Sequence, residues 1–171
     1  MKKIILILLV ALLSISLSSC GLLFGDDEYI AAQFGSSERA QKISEDLINY
    51  INSRDSNSIK RMFSKETLLK DEKIDEEIAE LLDFFSDGLT EYEIGGCWGS
   101  NESYDSWRAE LVEETAVIFL PKKGLSTGDE NQSIYIYYTF VNKEKPSRVG
   151  VNEILLVNRL TNEEIVIGIL K

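Results

Sequence analysis

Midway along the chain the hydrophobic repeat changes period, and that change limits the fold more than any other feature of the sequence. Up to about residue 90, apolar residues recur every three or four positions. Beyond it they recur every second position, in segments rich in β-branched and aromatic side chains. The clearest such segment is Ile134-Tyr135-Ile136-Tyr137-Tyr138-Thr139-Phe140-Val141. As a strand it sets Ile134, Ile136, Tyr138 and Phe140 on one face and Tyr135, Tyr137, Thr139 and Val141 on the other. Both faces are largely apolar or aromatic, which suits a central strand covered on one side by helices. Helices first and strands afterwards imply an α+β fold, with N-terminal helices packed on a curved antiparallel sheet joined by hairpins.

The helical half resolves into three patterns. From Ser36 to Asp55, Ala40, Ile43, Leu47, Tyr50 and Ile51 share one face. Ser36 or Ser37 is placed to cap the start, and Glu38 lies in the first turn, where the helix dipole favours an anion. A shorter helix from Ser56 to Phe63 turns Ile59, Met62 and Phe63 inward. A third carries Ile74, Ile78, Leu81, Leu82 and Phe85, with Gly88 placed to end it. The acidic run Asp71 to Glu80 reads as a solvated helix face. Strands are expected at Glu91 to Cys97, Trp107 to Leu120, Ser133 to Asn142, Gly150 to Leu160 and Glu164 to Leu170. There is no internal repeat and no low-complexity tract.

Composition closes off several functions. The chain has 171 residues, a formal net charge of -11 and no histidine. That length suits one domain with its own core, assigned to residues 36–171. Its acidic surface repels polyanions, so nucleic acid is not an expected partner. Without an imidazole there is no Ser-His or Cys-His nucleophile and no histidine-ligated metal. The two cysteines cannot build a thiolate metal site, and no cofactor is expected. Catalysis would have to use carboxylates, tyrosines or lysines. Cys97 has no resolving cysteine or histidine beside it and reads as a small buried apolar residue.

The N-terminus carries an address. Lys2 and Lys3 precede an uninterrupted apolar segment, Ile4 to Leu13, and then the small-residue stretch Ser14 to Ser19. A membrane-spanning helix needs about 20 apolar residues, and this segment is too short, so a secretory signal is the reading. Leu17-Ser18-Ser19-Cys20 resembles the bacterial lipobox. The resemblance implies that Leu17, Ser18 and Ser19 are the recognition site of a lipoprotein signal peptidase, and that Cys20 receives a diacylglyceryl group and becomes the first mature residue. Residues 1–19 are then the signal peptide, and 20–35 a tether loosened by Gly21, Gly25 and Gly35 and made acidic by Asp26, Asp27 and Glu28. Each buried methylene contributes about 0.8 kcal/mol, and two acyl chains suffice as a stable anchor. The expected location is the extracytoplasmic face of a membrane: the cell membrane in a one-membrane host, the envelope otherwise.

A long helix, a short one through Asn57-Ser58-Ile59-Lys60-Arg61-Met62-Phe63-Ser64, a further helix and a curved antiparallel sheet together resemble the cone-shaped superfamily typified by nuclear transport factor two and ketosteroid isomerase. Three stretches are more narrowly similar to a family of small bacterial lipoproteins known as domain of unknown function 5104: Arg54 to Ser64, Ile74 through Gly88, and Gly95-Gly96-Cys97-Trp98-Gly99-Ser100-Asn101-Glu102-Ser103. The resemblance runs from about Ser36 to the C-terminus and implies fold and location rather than an activity.

Two regions carry candidate chemistry. Residues 95–107, GGCWGSNESYDSW, combine flexible glycines with Trp98, Tyr104 and Trp107. They read either as a hairpin connection closing one end of the sheet or as a binding rim. It is neither a phosphate loop nor a calcium loop. A cone-shaped enzyme would place a carboxylate base and a tyrosine oxyanion donor between helices and sheet, with Glu93 or Glu113 and Tyr50, Tyr92 or Tyr137 as candidates. The leading expectation is a non-catalytic, lipid-tethered binding domain meeting an envelope protein or small ligand through the sheet concavity or the 95–107 segment. An acid/base enzyme in a cone pocket is the second reading. An envelope immunity or inhibitor protein with an acidic covering face is the third.

Overall fold

The computed structural model describes residues 35–105, 108–120, 132–159 and 161–169. Helix α1 (Ser36–Asn52) buries Ala40, Leu47, Ile48 and Ile51, with Ile43 and Tyr50 packed half-buried beside them. Its cap residue is Gly35, whose carbonyl accepts from Arg39 N at 2.8 Å, and no side chain closes the cap. Ser36 and Ser37 therefore lie inside the helix instead of capping it, because its hydrogen bonding begins one residue earlier than expected.

After a turn in which Arg54 takes φ 53°, Asp55 caps α2 (Ser56–Met62) by accepting from Ser58 N at 2.9 Å. A six-residue helix follows that the periodicity does not announce: α3 (Lys65–Lys70), capped by Ser64, which accepts from Thr67 N at 3.2 Å. Helix α4 (Ile74–Phe84) buries Ile78, Leu81 and Leu82 as the pattern predicts. Beyond it Gly88 takes φ +79°, in the left-handed region where glycine is favoured. Among the described residues, no helix is long and apolar enough to cross a membrane.

The second half forms one antiparallel sheet of β1 (Glu93–Asp105), β2 (Arg108–Leu120), β3 (Gln132–Asn142), β4 (Gly150–Asn158) and β5 (Glu163–Gly168), in the spatial order of the sequence. A 3₁₀ turn at Pro146–Arg148 links β3 to β4. The central place of β3 and the α+β arrangement agree with the sequence. The alternation along β3 holds from Ile134 to Tyr138. At Phe140 a register shift against β2 takes one residue out of the ladder, and Val141 joins Ala109 and Val112 in a small second apolar cluster.

The largest departure is β1. The segment expected as a hairpin connection is itself strand to Asp105, paired with β2 from Glu93↔Phe119 to Asp105↔Arg108. Three irregularities interrupt the register, and such bulges bend a strand and re-aim its side chains. Gly95 is required at the first: a Cβ there would lie 2.4 Å from the Phe119 ring and 2.6 Å from Val117 Cγ1.

Helices cover one side of the sheet. Helix α1 lies against β1 and β2, α3 against β4, and α4 against β5. Ala116, Ile118, Ile134, Ile136, Ile154, Leu156 and Ile167 meet Leu47, Ile51, Ile59, Ile78 and Leu81 there, all essentially without solvent contact. Each of the larger side chains contributes about 1.5–3 kcal/mol by its burial.

The acidic run is not wholly a solvated face. Asp71 is buried, and its Oδ2 and Glu77 Oε2 both accept from Gly168 N at 3.1 Å. The turn into α4 brings this pair onto the end of β5. Gly168 itself takes φ +87°, and a Cβ there would stand 2.5 Å from Asn152 O.

Candidate functional site

Between helices and sheet most of the buried side chains are apolar, and the Glu114 carboxylate is buried among them. Glu114 lies on the β2 face shared with Ala116 and Ile118, and its side chain has 0% exposure. Arg39, one turn into α1, reaches down to it as a two-pronged partner, Nε donating to Oε2 at 3.0 Å and Nη2 to Oε1. The Tyr138 hydroxyl donates to the same Oε2, and the Arg39 guanidinium lies 4.3 Å from the centre of the Phe140 ring. Burial opposes the Arg39 charge, but the hydrogen bond and charge of Glu114 outweigh it and hold its pKa above the ordinary value. Burial first, then the Glu114 carboxylate, push the Tyr138 phenol far above the usual tyrosine range, which keeps it a neutral donor. Every strong partner in this triad is already taken by another member. Such an arrangement clips α1 to the sheet.

The opposite face of the sheet is open and divides into two halves. At one end Val117, Phe119 and Tyr135 form an apolar surface on which Trp98 sits. Its ring centroid lies 5.6 Å from Phe119 and 6.3 Å from Tyr135, at interplanar angles of 67° and 68°. Trp98 remains 60% exposed. At the other end the surface sinks into a hollow of about 420 Å³, lined by Gly99, Asn101, Glu113, Thr115, Tyr137 and Arg148, with Glu114 and Tyr138 of the triad also among its lining residues. Glu113 pairs with Arg148 at 3.6 Å and accepts from Asn101 Nδ2 at 3.3 Å. Burial and the neighbouring Glu153 raise the Tyr137 pKa. Its phenol is therefore a donor at neutral pH. The hollow thus offers both donors and acceptors, on the same face as an exposed indole.

The expected site residues are distributed unevenly around these features. Glu113 and Tyr137 share the hollow. Glu93, at the start of β1, is exposed, and so is Tyr92 before it. Tyr50 packs half-buried against the core from α1, so none of these three joins the hollow. Tyr104 lies on the far part of β1, its hydroxyl donating to Glu102 Oε2 at 2.7 Å, and it is not beside Trp98. Trp107, Leu17, Ser18, Ser19 and Cys20 lie outside the described residues, as do residues 1–19, read above as a signal peptide, and nearly all of residues 20–35, read as a tether. Cys97 packs half-buried against the core with a free thiol.

Arg39, Glu114 and Tyr138 were not among the expected residues, nor were Asn101 and Arg148. A signal for the triad was present: Glu114 shares strand parity with Ala116 and Ile118, and an acid on an inward face needs a partner. Among the described residues, no group of three or more acidic or thiol side chains is placed to hold a metal ion.

Fold and site together define an α+β domain with one sheet face covered by helices and the other open. Residues 46–159 match the family model described as Domain of unknown function (DUF5104). That match spans more than half of the chain, and the chain belongs to this family. Among curated proteins, none matches it.

Proposed function

We propose that this chain is a membrane-tethered, non-catalytic binding domain that takes its ligand or partner on the sheet face opposite the helices. The observation that carries the reading is Trp98, a large indole left 60% exposed on an aromatic bed, on the same face as a hollow. Tryptophan is among the residue types enriched at the few positions that carry most of an interface's binding energy. The lipobox-like Leu17-Ser18-Ser19-Cys20 supports the tether. A long first helix laid on β1 and β2 and a bulged antiparallel sheet support a relationship to the cone-shaped nuclear transport factor two architecture. In that comparison much of the space corresponding to the cone pocket is packed with apolar side chains, and the buried Glu114 carboxylate is held by Arg39 and Tyr138. This packing disfavours acid/base catalysis inside it.

The test is crosslinking in the native membrane, comparing the wild type with Trp98→Ala. Loss of the crosslinked adducts is expected, and an unchanged set would overturn the binding face. For the tether, Cys20→Ala should yield unprocessed or released protein, and normal membrane retention of that variant would refute the anchor.

A further inference from the structure

We propose that the outer edge of β5 and the groove between it and α4 form a docking site for an extended basic peptide, which adds to the sheet as a further strand. The sheet ends in β1 on one side and β5 on the other, and the two edges differ. β1 is interrupted by three irregularities of register, the kind of bulge that twists an edge away from new partners. β5 pairs with β4 from Glu153↔Gly168 to Asn158↔Glu163 without a shift, so its outer side is a regular template.

Gly168 shows which way that template faces. Its N–H leaves the ladder and donates to Asp71 Oδ2 and Glu77 Oε2, while the next residue, Ile169, donates its own to Asn152 O at 3.0 Å. Backbone groups alternate in direction along an antiparallel strand, so Glu164 and Val166 also turn their N–H and C=O groups away from β4. Asp71 and Glu77 close the edge at Gly168. Glu164 and Val166 are exposed, and no backbone partner meets them on that side among the described residues.

An open strand edge recognises main chain, and the side chains it prefers are set by what lies beside it. Here a groove of about 500 Å³ runs between α4 and β5. Phe84 and Ile165 give it an apolar floor, and Glu80, Asp83, Glu163 and Glu164 line it with acid. No lining residue is basic. The carboxylates alone suit any cation. The strand edge beside them selects a chain that can hydrogen-bond to it, with Lys or Arg at alternate positions. Side chains of a strand alternate between faces, so every second residue of an added strand projects to the α4 side. There an aliphatic stem crosses Phe84 and the charged head reaches the carboxylates. Because Trp98 lies on β1, at the opposite edge, this site is separate from the binding face proposed above and does not rest on it.

The experiment adds the full chain, in a neutral detergent, to a fluorescein-labelled hexapeptide of alternating lysine and valine with an amidated C-terminus, and reads anisotropy. A saturable rise is expected below about 1 mM protein. Val166→Pro removes an outward N–H and leaves the ladder to β4 intact, and it should weaken binding at least about tenfold. Methylating the peptide nitrogens keeps the charge and blocks strand pairing, and it should cause a similar loss on the unaltered protein. Glu80→Gln/Glu164→Gln should weaken binding roughly tenfold and flatten its dependence on salt. Equal binding of the methylated peptide would mean that charge alone is recognised, which overturns strand addition. No response up to about 1 mM, or a loss of binding in Trp98→Ala, overturns the site. Self-association of the chain that Val166→Pro abolishes would give the edge to a second copy and overturn the peptide as its occupant.

Discussion

Glu113 and Glu114 are neighbours on β2 and face opposite sides of the sheet. Glu114 lies in the helix-covered interior, fully buried, with Arg39 and Tyr138 as its partners. Glu113 lies in the open hollow, half-buried, with a looser ion pair to Arg148 and a long hydrogen bond from Asn101. The difference between the two follows from solvent. In the interior a charge survives only with its partners in place, and removing one partner leaves an uncompensated ion. On the open face water can replace a lost partner, so such contacts contribute little to stability and remain available for a ligand.

The contrast breaks most visibly at Arg39. Arg39→Met leaves Glu114 buried without its cation and should cost about 3 kcal/mol of stability in urea unfolding. The double variant Arg39→Met/Glu114→Leu should recover much of that loss. A cost for Arg39→Met no larger than that of Arg148→Met would mean that the two faces do not differ as described.

Next in size is Gly168→Ala, on the helix-covered side at the end of β5. Its φ of +87° and the 2.5 Å approach of Asn152 O to a Cβ predict a loss of about 2 kcal/mol, measured in the same way. Wild-type stability in this variant would contradict the close backbone approach.

On the open face, Trp98→Ala should change stability by less than about 1 kcal/mol while removing the crosslinked adducts. A large loss of stability would reassign Trp98 from binding to packing.

The smallest effect is a dependence on pH at the Asp71–Glu77 pair. Burial raises the Glu77 pKa; the Gly168 N–H opposes that shift, and the charge of Asp71 adds to it. Lys73 also faces the group and lowers it. A pKa raised by folding means that the folded state holds the proton more tightly than the unfolded one. The stabilisation is therefore full below the unfolded value of about 4.3 and is lost as pH rises through the folded value. Glu77→Gln should remove that slope, so its melting temperature relative to wild type should rise between pH 4 and pH 7. Parallel curves would show that Glu77 does not titrate in this window.

Much of the helical half could be read locally. The residues that bury α1 and α4 repeat at helical spacing, and a helix closes its hydrogen bonds within its own segment, so neighbours in sequence carry the signal. Helix α3 escaped because six residues hold too little of a repeat. The second half was readable where strands are apolar on both faces, as in β3. It failed at β1, where Gly95, Gly96, Gly99, Ser100 and Asn101 have weak strand propensity and resemble a loop. Those residues are strand because β2 presents a complete ladder beside them. The same reason explains the candidate site. Glu113 and Tyr137, two of the candidates for an interior carboxylate and tyrosine, both line the hollow on the open face, while Glu114 and Tyr138, one position along each strand, make the buried hydrogen bond.

The sequence by itself determined the class of fold, the faces of the long helices, the place of β3 and the family to which the chain belongs, because these depend on periodicity and composition along the chain. It also carries Leu17-Ser18-Ser19-Cys20, a run of consecutive residues that resembles a lipobox. Tertiary structure decided which of two adjacent acids faces the helices, that Asp71 and Glu77 converge on Gly168, and that a glycine-rich stretch is an edge strand holding an exposed tryptophan. Those outcomes rest on strand register, and with a side-chain period of two a single bulge exchanges inside for outside.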